Sequence, residues 1–283
     1  MRTIRIGGVP EHFNLPWHLA MEEKDFEKEG LKIEWTDFPG GTGDLNTALR
    51  NKEIDVAVIL TEGIIKDIIA GNPSKIVQTY VQSPLIWGIH VAEGSKYHSL
   101  KELEHSKVAI SRNGSGSQLM AYVNAKNEGW NLSDLKFEIV GNIDGAVSAL
   151  QDNTAQYFMW EHFTTKPLVD NGTFRRVADC PTPWPCFVIA VRNDILESNE
   201  IEIEKLINVI NKKTVSFKNI SNIERTLAKR YDQKIEDIEE WLQITEWSQT
   251  NLTEQEIENV QESLIDLKLI SKKVDSSNII YNL

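Results

Sequence analysis

Short runs of β-branched and aromatic residues alternate with helix-like segments through the first two thirds of the chain. The strand-like runs of the first third are TIRIGGV, LKIEWTDF, IDVAVIL, SKIVQTYV and LIWGIHVA. Strands separated by helices predict an α/β fold with a mostly parallel sheet. The helix after the first strand has clear end signals: Asn14 is a candidate N-cap, Pro16 lies in the first turn and Gly30 follows the last turn.

The alternation begins again at Ser99 and predicts a second, smaller α/β unit. Its strand-like runs are KVAIS, FEIVGN, AQYFMWE and FRRVADC, with helical segments between them. Beyond residue 192 the apolar residues recur at helical spacing, as Ile203, Leu206 and Ile207 do. The rest of the chain is therefore predicted to form amphipathic helices.

Two apolar, extended segments connect the two units, SPLIWGIHV and PTPWPCFVIAV, and proline immediately precedes each apolar run. We therefore predict two hinged lobes, each with a mostly parallel mixed sheet flanked by helices, and a helical C-terminal region. Residues 1–86 and 189–283 would form lobe I, residues 87–188 lobe II, and the hinge crossings would lie near 84–91 and 182–190. A cleft between two lobes is a common place for a small ligand.

The charge of the chain excludes several classes of partner. There are 42 acidic and 30 basic residues, a net charge of −12, and no run of Lys and Arg interrupts the acidic excess. Neither nucleic acid nor an anionic membrane surface is an expected partner. We expect a small-molecule ligand and a chain that acts as a monomer.

The chain start and the apolar runs bear on location. No apolar run is long enough to span a bilayer, so no transmembrane segment is predicted. The first residues lead directly into a strand, without the apolar core and cleavage site of a secretory signal. This pattern indicates a cytoplasmic protein, or a periplasmic one whose signal was removed before numbering.

Metal, nucleotide and nucleophile motifs are missing from the sequence. Cys180 and Cys186 are the only cysteines, and their spacing predicts two free thiols. The six histidines form no HExxH or other close ligand spacing, so neither a metal nor a cofactor is predicted. GSGSQL has Leu119 in place of the third glycine of a dinucleotide fingerprint, PGGTGD lacks a following GK[ST], and no GxSxG elbow occurs.

The loops after the strands carry the candidate chemistry, because ligands of open α/β sheets lie outside the carboxyl ends of the strands. These loops are PEHFN, PGGTGD and TEG in the first block and RNGSGS, GNIDG and MWEHF in the second. Glycine lets the backbone approach a ligand, and hydroxyls beside helix N-termini supply donors. The alternative is that these residues serve only as turn and N-cap residues.

Aromatic faces and carboxylates lie in or near the same loops. Trp160 and Trp184 with Glu62, Asp144 and Glu161 would suit a cationic or amine-bearing planar ligand. The alternative is that the tryptophans pack at the hinge and the acids are only solvated. His12 lies in a strand-to-helix loop and is a candidate hydrogen-bonding contact.

The loops, in this order, resemble those of type II periplasmic binding proteins. The resemblance is to the branch of sulfonate, taurine and thiamine-pyrimidine binding proteins and the NMT1/THI5-like pyrimidine synthases. It is carried by LPWHLAMEEKDFEKEGLKIEW, PGGTGDLNTALRNKEIDVAVILTEG, SRNGSGSQLMA, GNIDGAVSALQ and FMWEHF. These segments span most of the first 190 residues.

The resemblance implies two lobes that close on a small molecule, commonly for delivery to an ABC permease. By position, it implies ligand contacts from both lobes and the hinge. The first lobe would contribute Glu11, His12, Gly41, Thr42, Thr61 and Glu62, the second Ser115, Gly116, Ser117, Asn142, Asp144, Trp160 and Glu161, and the hinge Trp184.

The expected ligand is an aminopyrimidine-like thiamine precursor, followed by sulfonates and other small anions. The pyrimidine synthases carry a CCCFC-type motif near the return crossing and a reactive His after the third strand, where this chain has PTPWPCFV and ILTEGII. We therefore expect binding rather than catalysis. The alternatives are a thiamine-pyrimidine biosynthesis or salvage enzyme on the same fold, and a cytoplasmic ligand sensor.

Overall fold

The computed structural model describes residues 2–283. The strands formed by these residues are β1 (Arg2–Gly8), β2 (Leu31–Asp37), β3 (Val56–Leu60), β4 (Ser74–Val81), β5 (Ile86–Ala92), β6 (Lys107–Ile110), β7 (Lys136–Ile139), β8 (Tyr157–Glu161), β9 (Phe174–Pro181) and β10 (Phe187–Arg192).

The α-helices of the described residues are α1 (Leu15–Glu22), α2 (Asp25–Lys28), α3 (Thr42–Arg50), α4 (Thr61–Ile69), α5 (Gly116–Asn127), α6 (Ile143–Gln151), α7 (Lys166–Asp170), α8 (Asn193–Ser216), α9 (Ile223–Tyr231), α10 (Ile235–Ile244) and α11 (Glu254–Asp266). Among the described residues, no helix is both long and apolar enough to cross a membrane.

The chain divides into two compact units. Unit 1 comprises the residues up to Ser83 together with Trp184–Leu283, and unit 2 is Pro84–Pro183. Each unit contains one five-stranded sheet, ordered β2-β1-β3-β10-β4 in unit 1 and β7-β6-β8-β5-β9 in unit 2. The predicted α/β class, with two mixed sheets and a helical C-terminal region, is confirmed.

In unit 1, β1, β2 and β3 run parallel and β10 is antiparallel to both of its neighbours. The run VAVIL of β3 is almost entirely buried, as expected for a strand covered on both faces. In unit 2, β6, β7 and β8 are parallel and β5 is antiparallel to β8 and β9. Apart from β10 in unit 1 and β5 in unit 2, the strands of each sheet run in one direction, so their carboxyl ends, and the loops that follow, lie at one edge of the sheet.

The C-terminal region covers the edge strand of unit 1. The N–H of Ser248 donates to the carbonyl of Tyr80 at 3.0 Å, and the N–H of Ile76 donates to that of Ile279 at 2.8 Å. Unpaired edge groups favour pairing with other chains. These segments occupy part of the β4 edge, a role that helical periodicity alone does not reveal.

A buried ion-pair network lies at the other end of the unit 1 sheet from the loops. Asp55 immediately precedes β3 and Arg192 ends the antiparallel β10. The side chain of Arg192 is 5% exposed and lies 3.2 Å from the Asp55 carboxylate, which also contacts Arg5 at 2.6 Å. Arg192 further donates to both carboxylate oxygens of Asp194 and to the carbonyl of Ile54.

Candidate functional site

The N-terminal turns of α3 and α4 meet in unit 1. A Cβ built on Gly63 of α4 would come within 2.2 Å of the Thr42 methyl group, so the two helices touch where glycine leaves room. The Asn46 amide donates to the Gly63 carbonyl at 3.2 Å. The first N–H groups of a helix lack partners inside it, and its dipole is positive there. Two adjacent helix starts therefore form a polar surface suited to oxygen-rich ligands.

Gly41 makes the start of α3 geometrically feasible. Its φ is +73° and its ψ −153°, a region almost confined to glycine. Its N–H donates to the carbonyl of Phe38 at 2.9 Å and closes the turn after β2. The predicted site residues Gly41 and Thr42 thus lie together at one helix start.

Glu62 is a buried carboxyl in the first turn of α4. It is 2% exposed, and its Oε2 accepts a hydrogen bond from Nε1 of Trp184 at 2.8 Å. Burial raises the pKa of Glu62 from its ordinary value of 4.5 to about 7, against the opposing effects of backbone hydrogen bonding, Trp184 and Lys66. At neutral pH this carboxyl can therefore act as a donor or as an acceptor.

Thr61 and Trp184 lie beside Glu62, but each makes a hydrogen bond within the protein. The Thr61 hydroxyl and N–H both approach the carbonyl of Cys186, at 3.2 and 3.1 Å. Thr61 is fully buried and Trp184 is 4% exposed. Thr61 thus attaches the start of α4 to the segment before β10, and Trp184 holds the carboxyl of Glu62.

His12 occupies an aromatic pocket formed in part by the C-terminal helices. Its ring lies 4.3 Å from Trp241, 4.9 Å from Phe13 and 6.0 Å from Tyr231, between ring centroids. It is 1% exposed, and burial lowers its pKa to about 3, so the ring is neutral at physiological pH. Its neighbour Glu11 is half-buried in the turn after β1. The sequence did not predict that Tyr231 and Trp241 of the C-terminal helices pack against this ring.

The Gly/Ser loop of unit 2 folds into a hydrogen-bonded group that we call the serine cradle, Ser111, Ser115 and Ser117. Ser117 Oγ accepts from the Ser111 N–H at 3.0 Å and lies 3.0 Å from Ser115 Oγ. Ser115 is the N-cap of α5 and accepts from the Gln118 N–H at 3.3 Å. When Ser117 donates to Ser115, the Ser115 hydroxyl hydrogen remains available to a ligand.

The serine cradle lies at the start of α5, because Ser115 is its N-cap and Ser117 lies in its first turn. Ser115 and Ser117 are 5% and 1% exposed. The cap satisfies the N–H of Gln118, whereas those of Gly116 and Ser117 belong to the first turn, where no intrahelical acceptor exists. The predicted residues Ser115, Gly116 and Ser117 are thus brought together, with Ser111 as a member that the sequence reasoning missed.

The loop after β7 adjoins the cradle through the backbone. The N–H of Gly141 donates to the carbonyl of Ser111 at 3.0 Å. Asn142 caps α6, because its Oδ1 accepts from the Gly145 N–H at 3.0 Å. Asp144, in the first turn of α6, is exposed. The structure therefore places Asn142 at the helix start and Asp144 on its solvent side.

Replacing Gly145 by Ala is expected to displace this loop. The added Cβ would meet the Val140 carbonyl oxygen at 1.9 Å, and a backbone atom cannot move aside freely. We expect a loss of about 1–3 kcal/mol in the free energy of unfolding, measured by urea titration. Gly94→Ala is the control, because its Cβ would meet no atom within 4 Å. Equal stability of the two variants would contradict the prediction.

Glu161 is the unit 2 counterpart of Glu62 in burial and position. It ends β8, is 4% exposed, and its Oε2 accepts from the Thr164 N–H at 2.6 Å. Burial raises the pKa of Glu161 above its ordinary value, against the hydrogen bonds from Thr164 and Phe163. Each unit therefore carries a buried carboxyl at the end of a parallel strand or in the helical turn that follows it.

Trp160 belongs partly to the core of unit 2. Its ring stacks on Phe158, with centroids 5.4 Å apart and planes at 20°, and it packs against a cluster that includes Ala146 and Phe174. The Trp87 ring lies edge-on to the Trp160 ring, with centroids 6.2 Å apart. Trp87 lies on β5, where it pairs with Glu161 of β8. The Trp87 indole N–H is buried without an acceptor among the described residues, and sequence reasoning did not single it out.

Residues 87–180, which make up most of unit 2, match the Ca3427-like PBP family. Among curated proteins, none matches the chain by sequence.

Solved structures match nearly the whole chain. The CA3427 gene product of Candida albicans, described as defining a new family with the generic periplasmic binding protein structural fold, is 26% identical, with a TM-score of 0.90 over 100% of this chain and 98% of that one. The alkanesulfonate-binding protein SsuA from Xanthomonas axonopodis pv. citri, bound to MOPS, is 16% identical, with a TM-score of 0.83 over 99% and 98%. The periplasmic aliphatic sulphonate binding protein SsuA from Escherichia coli is 19% identical, with a TM-score of 0.75 over 100% and 92%. At these identities, the likeness to the two SsuA proteins shows the fold.

Proposed function

We propose that this chain, which has the periplasmic binding protein fold, is a solute-binding protein for a small polar molecule. The observation that carries the proposal is common to both units: helix N-termini and a buried carboxyl lie at the same edge of a sheet, where its parallel strands end. In unit 1 these are the starts of α3 and α4 with Glu62. In unit 2 they are the starts of α5 and α6 with Glu161.

An aminopyrimidine-like molecule, such as a thiamine precursor, is the first candidate ligand. A carboxyl with a pKa near 7 can pair with both a ring nitrogen and an exocyclic amine, donating to one and accepting from the other. Glu62 has this property through its burial. The hydroxyl and N–H donors of the serine cradle would then hold oxygen atoms on the ligand.

Sulfonates are the second candidate, favoured by the paired helix starts and by the SsuA structure that holds MOPS. Helix N-termini and hydroxyls attract anions. A sulfonate near Glu62 or Glu161 would require each carboxyl to be protonated, since two negative charges in a buried site repel. Sulfonate affinity should then fall as the pH rises above the Glu62 pKa of about 7.

The proposal includes closure of the two units on the ligand by hinge motion, with crossings near 84–91 and 182–190, and delivery to an ABC permease. These parts rest on the sequence resemblance. Closure is tested by small-angle X-ray scattering, in which a saturating ligand should reduce the radius of gyration.

The binding experiment compares 4-amino-5-hydroxymethyl-2-methylpyrimidine and MOPS as probes in isothermal titration calorimetry. Ser115→Ala should weaken binding of the probe that wild type takes by about fivefold, the effect of one neutral hydrogen bond. Ser148→Ala is the matched control, because this exposed serine bonds only within α6. Unchanged affinity in Ser115→Ala would remove the serine cradle from the site. Failure of wild type to bind either probe would contradict both ligand assignments.

A further inference from the structure

Arg176 of β9 contacts the turn 161–165, which begins at Glu161, the last residue of β8. Its Nη2 donates to the carbonyl oxygen of His162, and its Nη1 reaches the His162 ring. Its Nε donates to Nε2 of His90 at 3.3 Å. Its side chain is 13% exposed. One guanidinium thus contacts the turn through backbone and ring, and the neighbouring strand β5 through His90.

Both histidine rings lie against Arg176. Nη1 of Arg176 lies 2.9 Å from Nδ1 of His162 and also contacts Nε2, and the same Nδ1 lies 2.9 Å from Oδ1 of Asp179. His90 is fully buried, and burial together with Arg176 lowers its pKa to about 3. Because a guanidinium only donates, Nε2 of His90 is the acceptor in its contact with Nε of Arg176. Arg176 thus joins both histidine rings.

Thr165 closes the turn from the other side. Its hydroxyl lies 2.9 Å from the Glu161 carbonyl, 3.2 Å from the His162 carbonyl and 2.9 Å from Nε2 of His90. Gly88 makes the arrangement feasible, because a Cβ there would lie 2.5 Å from the His90 ring and 2.9 Å from Arg176 Nε. The turn is therefore held by side chains from β5, β9 and its own end.

We propose that Arg176 is the positioning residue that fixes the turn 161–165, and through it the Glu161 carboxyl and the adjacent Trp160 of the candidate site. The Glu161 carboxylate takes its hydrogen bond from the Thr164 N–H, inside the same turn. Movement of the turn would therefore move the carboxyl. The link to ligand affinity rests on the proposed function, whereas the effect on the turn does not.

Arg175, the preceding residue, provides a matched comparison. It donates to the carbonyls of Glu93, Ser95 and Tyr97, at 2.9, 2.7 and 2.8 Å. It therefore holds a different loop of unit 2, residues 93–97. Two adjacent arginines of one strand each hold one loop, so substitution of each should affect only its own loop.

The first experiment is amide hydrogen exchange of unliganded full-length protein, read by mass spectrometry. In Arg176→Gln, peptides covering 161–165 should exchange about tenfold faster or more, and those covering 93–97 should be unchanged. Arg175→Gln should show the reverse pattern. Arg176→Lys should not restore protection, since one ammonium cannot reproduce contacts to three acceptors. Uniform acceleration in both variants, or none at 161–165, would overturn the proposal.

A second pair of variants tests the turn should Arg176→Gln not fold. Thr165→Val removes the hydroxyl at nearly constant shape and should raise exchange at 161–165. Thr165→Ser keeps the hydroxyl and should not. Equal exchange in this pair would show that side-chain hydrogen bonds do not hold the turn.

The binding readout uses whichever of the two probes, the aminopyrimidine or MOPS, wild type takes. Arg176→Gln should lower its affinity by about tenfold, and Arg175→Gln should leave it unchanged. Faster exchange at 161–165 with unchanged affinity would remove this turn from the site. If wild type binds neither probe, the ligand assignments fail, but the exchange experiment still decides the role of Arg176.

Discussion

Replacing Glu62 by Gln is expected to stabilise the protein at pH 8 by about 3 kcal/mol and to change its stability little at pH 4. The side chain is 2% exposed, and burial raises its pKa from 4.5 to about 7. Gln keeps the size of the side chain, and its amide oxygen can accept from Nε1 of Trp184, as the carboxylate does.

The sign of this effect follows from proton binding. Because the folded pKa exceeds the unfolded one, the folded wild type binds more protons than the unfolded chain between pH 4.5 and 7. The stability that wild type gains from holding Glu62 protonated is fully present below pH 4.5. It is lost as the pH rises through the folded pKa of about 7. Gln binds no proton in this range, so the difference between the variants isolates Glu62.

The measurement is the free energy of urea unfolding of both proteins from pH 4 to pH 8. The difference should open between pH 4.5 and 7 and level off above it. Parallel curves would show that Glu62 has a similar pKa in the folded and unfolded chain, and would remove the neutral carboxyl from the account of the site.

Replacing Arg192 by Met is expected to destabilise the protein by about 3 kcal/mol, the usual effect of removing one partner of a buried ion pair. Arg192 is 5% exposed and contacts Asp55, Asp194 and the Ile54 carbonyl. Met fills much of the volume but leaves the Ile54 carbonyl without this donor. Asp194, whose pKa Arg192 helps to lower to about 2, would lose its bidentate partner.

The control for this prediction is Lys52→Met. Lys52 pairs with Asp194 at 3.1 Å in the same network, but its side chain is 63% exposed. Exposed pairs contribute little, so a loss below about 1 kcal/mol is expected. Because Arg192 lies at the end of the sheet away from the loops, ligand affinity should be unchanged in both variants. A similar loss of stability in both would contradict the assignment of the energy to burial.

The order of strands and helices could be predicted from the sequence because it depends on local periodicity. The run VAVIL and the turn SRNGSGS predict a buried strand and a strand-to-helix loop without reference to the rest of the chain. Ser115 was predicted as a ligand contact, with turn and N-cap use of the loop residues as the alternative, and the structure shows Ser115 as the N-cap of α5. Local patterns determine which residues begin a helix.

The partners of the site residues could not be predicted, since they come from distant parts of the chain. We predicted Trp184 as a contact at the hinge, but not that its indole donates to Glu62, 122 residues away. His12 was placed in an accessible loop, whereas Trp241 of α10 covers it. Both partnerships depend on how residues 184–283 pack against residues 2–83 within unit 1. Helical periodicity indicates that the C-terminal helices are amphipathic, but it does not indicate which residues of the rest of the chain they cover.

Native mass spectrometry of the protein as purified, before and after unfolding and refolding, tests the central claim that these loops bind a small molecule. We predict a discrete additional mass that leaves on unfolding, and whose occupancy falls in Ser115→Ala but not in Ser148→Ala. The released mass also distinguishes an aminopyrimidine from a sulfonate. A protein that carries no such mass and takes up neither probe after refolding would contradict the account.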